Sequence, residues 1–305
     1  MKSKIKRFSV IKILVIIIML WCVSASYSYY VSATSSPFNA GYFPNHNESL
    51  VSSFLNKIIP GRLGLKARAA IAVDAETGEV IFSKNKDMQL SIASLTKLAA
   101  SLVFLSTNPD LHRPIVITKG DLNDSGRSRL YNGDHITLND CLHLCLIRSD
   151  NAAVRALVRS TGLGEAEFVS LMNDLADSLN MNDTHFADPT GRYAKNMSTA
   201  ADLVKLIQAA CNNEIIADIS SKKIYQYKPF NRKYTTTLYN TNRLLFSKWK
   251  INGGKTGYIS RAGYCLAIDA DNGFGKHVNA VILGSPSNNY RFRDAERLLA
   301  YALKN

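Results

Sequence analysis

The chain has 305 residues, 46% of them hydrophobic, enough for one sizeable core or two small ones, which excludes a scaffold that stands only through disulfides. Its formal charge is +13, and five of those cations crowd the extreme N-terminus, so the remainder carries +8. A moderately basic exported protein is drawn to anionic polymers of the cell envelope, although lysines kept for solubility give the same balance; no nucleic-acid partner is expected.

Lys2, Lys4, Lys6, Arg7 and Lys12 precede the apolar run from Ile13 to Val23. That run is too short for a comfortable membrane span and suits the hydrophobic segment of a signal peptide. Small-x-small cleavage patterns follow at Val23-Ser24-Ala25 and Val31-Ser32-Ala33, and Trp21 before Cys22 is too bulky for a lipoprotein site. Residues 1–25 read as a signal peptide or an uncleaved N-terminal anchor, so the expected location is the periplasm or otherwise the exported envelope. Residues 26–58 are rich in Ser, Tyr, Asn, Gly and Pro without a period and read as a flexible tether; a folded catalytic domain is expected over 59–305.

Arg68 to Lys84 gives two β-rich runs around Asp74-Ala-Glu-Thr-Gly78, which reads as a hairpin. Leu95, Leu98, Ala99 and Leu102 then recur at helical spacing, with Ser94 opening the helix. Thr137 to Ile147 and Asn151 to Arg159 read as two helices joined at Ser149-Asp150. Asp188-Pro-Thr-Gly191 is a turn, and Thr199-Ala-Ala-Asp202 a capping pattern ahead of Leu203, Leu206, Ile207 and Ala210. Asn252–Tyr258, Tyr264–Ala270 and His277–Leu283 read as strands, and Arg293–Leu303 as a closing helix. Two strands early, three late and helices between them predict an α+β fold: a five-stranded antiparallel sheet flanked by helices, with a helical insertion.

Outside the leader stand Cys141, Cys145, Cys211 and Cys265. Cys141 and Cys145 are four apart on a predicted helix, so their side chains run parallel rather than toward each other. His143 beside them has no second ligand pair, so no metal site is expected, and the cysteines read as small buried hydrophobes.

Three short motifs stand at the joints of this plan: Ser94-Leu-Thr-Lys97, Ser149-Asp-Asn151 and Lys255-Thr-Gly257. Spacing alone proves little, since Ser-x-x-Lys also occurs at Ser3, Ser9, Ser83, Ser220 and Ser247. Lys-Thr-Gly occurs once, and only Ser94 starts a helix between a hairpin and both other motifs. A serine hydroxyl needs a base within hydrogen-bond reach, and three residues of helix return Lys97 to the face of Ser94. Lysine is a base only when neutral; desolvation and the like charge of Lys255 would both lower its pKa. The helix start points backbone N–H groups at an anion, and glycine at 257 lets a strand approach substrate closely.

The ordered triple resembles the signature of penicillin-binding proteins and class A β-lactamases. From about Ala69 to Asn305 the chain resembles the low-molecular-mass penicillin-binding proteins, the serine D-alanyl-D-alanine carboxypeptidases and endopeptidases. VDAETGEVIFSKN, ADPTG at 187–191, NMSTAADLVKL, NTNRLL and KTGYISRAGYCLAI carry that resemblance beside the triple. It implies Ser94 as acylated nucleophile and Lys97 as general base. It implies Ser149 as proton relay to the leaving amine, and Asn151 as the holder of Lys97 and of the substrate amide. Lys255 and Thr256 would bind the substrate carboxylate, while the N–H groups of Ser94 and Tyr258 would form the oxyanion hole.

By the same resemblance the substrate is a peptidoglycan stem peptide ending in, or crosslinked through, D-alanine. β-Lactams would be covalent inhibitors, and neither metal nor organic cofactor is implied. Two departures stand out: Ile259 where relatives have threonine, with Ser260 or Arg261 as possible substitutes, and Arg192, for which the sequence offers no physical account.

A class A β-lactamase needs a glutamate in a Glu-x-x-Leu-Asn context, and Ala176 occupies that position before Leu179-Asn180. That favours a peptidase. The chain stops after its closing helix, as short endopeptidases do, which leans the expectation slightly toward endopeptidase over carboxypeptidase. A non-catalytic penicillin-sensing or envelope-binding module is the remaining alternative, opposed by the intact lysines.

Overall fold

The computed structural model describes residues 63–126 and 128–304; the expected leader and tether lie outside them. Five antiparallel strands form the main sheet: β1 (Ala69–Asp74), β2 (Val80–Lys84), β3 (Lys250–Ile259), β4 (Gly263–Asp271) and β5 (His277–Ser285), in spatial order β2-β1-β5-β4-β3. The two ends of the domain meet at the centre of the sheet, where Ile71 pairs with Val281 and Ala69 with Leu283. The expected α+β plan is therefore present, with each late strand slightly longer than its sequence pattern.

Alternation along these strands builds a core on each face. Ala69, Ile71, Val73, Val281 and Leu283 face one core, while Ala70, Ala72, Val278, Ala280 and Ile282 face the other. The second core is closed by α7 (Asn288–Ala302), through Ala295, Leu298, Leu299 and Ala302. This helix starts five residues before its predicted beginning. Ser287 caps it by accepting from the Tyr290 N–H at 3.2 Å, and its polar first turn carries no apolar period to reveal it.

The first core holds the inserted helices: α1 (Thr96–Ser106), α2 (Leu138–His143), α3 (Asn151–Ser160), α4 (Glu165–Ser178), α5 (Ala200–Asn212) and α6 (Glu214–Ser221). Two of them follow legible caps. Thr199 accepts from the Asp202 N–H ahead of α5, and Asp150 accepts from Ala152 and Ala153 ahead of α3. The segment expected as one helix over 137–147 divides: α2 passes into a π-helical turn, Leu144–Arg148, which ends at Ser149 in left-handed backbone (φ 62°). Helix α4 and a half-exposed hairpin, Ile224–Tyr227 with Thr236–Tyr239, add to the predicted plan.

Cys141, Cys145 and Cys265 are buried and Cys211 half-buried, all four as free thiols. Among the described residues no group of His, Cys, Asp and Glu could hold a metal ion, and no helix is long and apolar enough to cross a membrane.

Candidate active site

Ser94 does not begin the α-helix itself. It sits in a 3-10 turn, Ala93–Leu95, immediately before α1, and this turn lies across β3. Closeness is the reason for glycine at 257: a Cβ there would lie 2.9 Å from the Ile92 carbonyl oxygen and 3.1 Å from the Ser94 nitrogen. Gly191 (φ 76°) closes the other side, where an added Cβ would collide with the Ala93 carbonyl. Ala93 (φ 49°) and Ser149 (φ 62°) are, among the described residues other than Gly, Asn and Asp, the two in left-handed backbone. Strain of about 1 kcal/mol each is thus confined to the serine turn and the Ser-Asp-Asn loop.

Lys97 returns from the first turn of α1 to place Nζ 3.1 Å from Ser94 Oγ. Nζ also donates to Asn151 Oδ1 at 2.6 Å and to the Thr190 carbonyl at 2.5 Å. Each acceptor is itself fixed. Asn151 opens α3 and donates through Nδ2 to the Ser125 carbonyl. Thr190 belongs to a turn organised by Asp188, whose Oδ1 accepts from Thr190 N, Thr190 Oγ1 and Gly191 N, and whose Oδ2 accepts from Tyr193 N and Asn196 Nδ2. Burial raises the Asp188 carboxyl, but hydrogen bonds from Thr190, Tyr193 and Asn196 outweigh it and leave the pKa below its ordinary value.

Lys97 has no exposed surface, and burial brings its pKa down to about 8, although Asp188 and Asp150 pull the other way. Lys255, also buried, donates to the Thr256 carbonyl at 3.0 Å. Its pKa falls well below the ordinary value, first through burial and then through the positive charges of Lys97, Arg291 and Arg148. The repulsion expected from sequence to act on Lys97 thus weighs on Lys255, and for Lys97 burial dominates. A hydroxyl 3.1 Å from a buried amine with a lowered pKa can be deprotonated as it attacks an electrophile.

A cleft of about 460 Å³ opens over these groups, with Ser94, Ser149, Asn151, Thr256, Gly257 and Tyr258 all on its walls. The structure therefore brings the six together, with Lys97 and Lys255 beneath. Ser149 Oγ is buried and has no hydrogen-bond partner among the described residues. Thr256 Oγ1 lies 2.7 Å from Thr241 Oγ1, and Tyr258 stacks on Tyr264 with ring centroids 4.2 Å apart.

One feature escaped sequence reasoning, and two departures that the sequence displays find their places. Arg291 lines the cleft from α7, donating to the carbonyls of Gly257 (3.1 Å) and Cys265 (3.2 Å), and burial lowers its pKa to about 10. Nothing marked it, because the helix that carries it was expected to start beyond it. Ser260 and Arg261 are exposed and do not line the cleft, whereas Ile259 does. Arg192, unexplained by sequence, pairs with Asp124 across the cleft's rim, Nε reaching Oδ2 at 2.8 Å.

An antiparallel sheet joining the first and last strands of the described residues, with a serine turn across it and helices inserted between its early and late strands, is the fold of the penicillin-binding DD-peptidases. The Streptomyces K15 DD-transpeptidase has it: 30% identity, a TM-score of 0.74, and coverage of 78% of this chain and 97% of that one. Residues 57–287 match the family described as D-alanyl-D-alanine carboxypeptidase. A D-alanyl-D-alanine endopeptidase of Pseudomonas aeruginosa is 34% identical over 79% of this chain and 78% of its own length. A D-alanyl-D-alanine carboxypeptidase of Bacillus subtilis is 28% identical over 79% of this chain and 63% of its own. The chain belongs to this family of serine-type D-alanyl-D-alanine peptidases.

Proposed function

We propose that the protein cuts D-alanyl peptide bonds of peptidoglycan through an acyl-enzyme on Ser94, with crosslinks between stem peptides as its preferred substrate. The observation that carries the proposal is the 3.1 Å approach of the buried Lys97 amine to the Ser94 hydroxyl, the amine being held in place by Asn151 and Thr190. Neutral Lys97 takes the Ser94 proton as Oγ attacks the carbonyl carbon, and the N–H groups of Ser94 and Tyr258 receive the oxyanion. The C–N bond then breaks, and the proton passes through Ser149 Oγ to the leaving nitrogen. Water later hydrolyses the ester. The unpartnered Ser149 Oγ suits a relay that finds its partner only in substrate.

Lys255, Thr256 and Arg291 would take the substrate carboxylate. Its arrival favours an ammonium on Lys255, and repulsion from that charge then keeps Lys97 neutral. Gly257 admits the substrate backbone alongside β3. Penicillins present the same carboxylate beside a strained amide, so they acylate Ser94 and block it. The endopeptidase preference rests on greater identity to the endopeptidase than to the carboxypeptidase. Export through residues 1–25, with 26–58 as tether and 59–305 as the catalytic part, would bring the enzyme to its substrate in the periplasm or exported envelope.

Labelling with a fluorescent penicillin is expected for the wild type and absent for Ser94→Ala. Mass analysis of products from crosslinked and uncrosslinked muropeptides then separates the activities: monomers released from dimers mean endopeptidase, loss of terminal D-alanine alone means carboxypeptidase. A Ser94-independent adduct, or none at all, refutes the mechanism.

A further inference from the structure

Beside the catalytic cleft, and sharing Gly126 with it, lies a second cavity of about 470 Å³ lined by Gly126, Ser128, Arg129, Tyr131, Arg148 and Asp150. Ser149 opens on the cleft, while its two chain neighbours, Arg148 and Asp150, line the second cavity. Whatever extends past Ser149 from the cleft therefore meets this space next.

The walls are cationic. Asp150 is buried and its carboxylate is saturated from within, accepting from Ala152 N, Ala153 N, Ser128 Oγ and Arg129 N. Arg148 donates to the Tyr239 carbonyl at 3.3 Å and pairs with no carboxylate among the described residues. The Arg129 guanidinium has neither hydrogen bond nor ion pair among them. A third arginine nearby is already neutralised: Arg232 lies over the Tyr131 ring at 4.2 Å and pairs with Asp134 at 2.6 Å. With Asp150 counted, these walls keep a net positive charge, and two guanidiniums that pair with no carboxylate among the described residues suit carboxylates in a cavity this size, each being capable of a bidentate contact.

The chemistry of the cleft says whose carboxylates these are. In the proposed reaction the leaving nitrogen collects its proton at Ser149 Oγ, so the chain attached to that nitrogen departs past Ser149. In a carboxypeptidase reaction that chain is one residue long; in a crosslink it is a second stem peptide, an acidic chain with several free carboxylates. We infer that the cavity is a subsite for the leaving stem peptide of a crosslink, with Arg129 and Arg148 binding its carboxylates. The inference rests on the endopeptidase reading above and adds the group that would make a crosslink a better substrate than a terminal D-alanine.

The test compares wild type, Arg129→Gln, Arg148→Gln and the double variant on a crosslinked muropeptide dimer, on the same dimer with its free carboxylates amidated, and on fluorescent penicillin. Arg148 also acts on Lys255, so each protein is judged by the ratio of dimer cleavage to penicillin acylation. In the double variant that ratio is expected to fall about tenfold at low salt and less at high salt. Wild type should show a similar loss on the amidated dimer, and the substitutions should add nothing to it. The free acidic stem peptide, as a competitor of penicillin labelling, gives a second readout that needs no dimer cleavage, and its competition should weaken in the double variant. A wild type that binds this peptide through the arginines yet cleaves no dimer refutes the endopeptidase preference and leaves the subsite standing. An unchanged ratio together with unchanged competition overturns the subsite.

Discussion

The sharpest consequence of the site concerns the proton on Lys97. Burial takes its pKa from 10.5 to about 8, so about one molecule in ten has a neutral amine at pH 7 and about nine in ten at pH 9. The second-order rate constant for acylation by a penicillin, measured by stopped flow, should therefore rise about tenfold from pH 7 to pH 9 and level off above. The apparent pKa belongs to the coupled Lys97–Lys255 pair. The same shift bears on stability. A lysine whose pKa is lower when folded gives the unfolded chain the extra proton between about 8 and 10.5, so stability rises with pH across that window, and below it the full penalty of roughly 3 kcal/mol applies. Lys97→Met removes that penalty but leaves Asn151 Oδ1 and the Thr190 carbonyl without a donor, at about 1 kcal/mol each. The net expectation is a protein about 1 kcal/mol more stable at pH 7, melting a few degrees higher, and unable to react with penicillin. An acylation rate that does not change between pH 7 and 9, or a Lys97→Met variant that melts well below wild type, would refute a base made neutral by burial.

Three other substitutions probe the supports. Gly257→Ala would press a methyl against the Ile92 carbonyl and the Ser94 nitrogen, so acylation should fall at least tenfold with only a modest change in melting temperature; an undiminished rate contradicts the close approach. Asp188→Ala removes the acceptor that organises the 188–196 loop and should cost about 3–5 kcal/mol in denaturant unfolding at neutral pH. Because the Asp188 pKa is lowered from 3.8, the proton-linked part of its stabilisation is complete above that value and is lost as pH falls through the folded pKa, so the gap between wild type and variant should narrow in acid. Arg192→Ala breaks a pair that is exposed on both sides and should change stability by under about 1 kcal/mol, with a larger loss refuting that placement.

The sheet and the serine–lysine geometry were legible because they follow from local rules. Period-two runs marked both ends of the sheet, and helical spacing by itself brings Lys97 back to Ser94. What the sequence hid is non-local. The apolar spacing of Leu95, Leu98, Ala99 and Leu102 suggests a helix with one wet face, yet Thr96, Lys97, Ala100, Ser101 and Val103 are buried too. Arg291 was hidden because it becomes a cleft residue only when α7 is laid against the sheet. Arg192 made sense only once Asp124, 68 residues earlier, stood opposite it. The π-helical turn before Ser149, which ends with that residue in left-handed backbone, follows no spacing that a sequence displays.

Burial of the first two turns of α1 also bears on the proposed role of Lys97 as base. A charge partner alone would leave Lys97 protonated in water, and the nearest carboxylates, Asp188 and Asp150, favour the ammonium. Before substrate binds, only the absence of solvent works against it, and that absence is a property of the whole first core. The 188–191 turn covers the amine from one side, α3 from another, and Gly257 lets β3 approach closely enough to close the remaining gap. Each cover also supplies a group to the site: Thr190 an acceptor, Asn151 an acceptor, β3 the backbone beside Ser94. The packing that excludes water and the geometry that positions the proton are therefore one arrangement, and the unpartnered Ser149 Oγ and the strained Ala93 and Ser149 are the local cost of holding it ready.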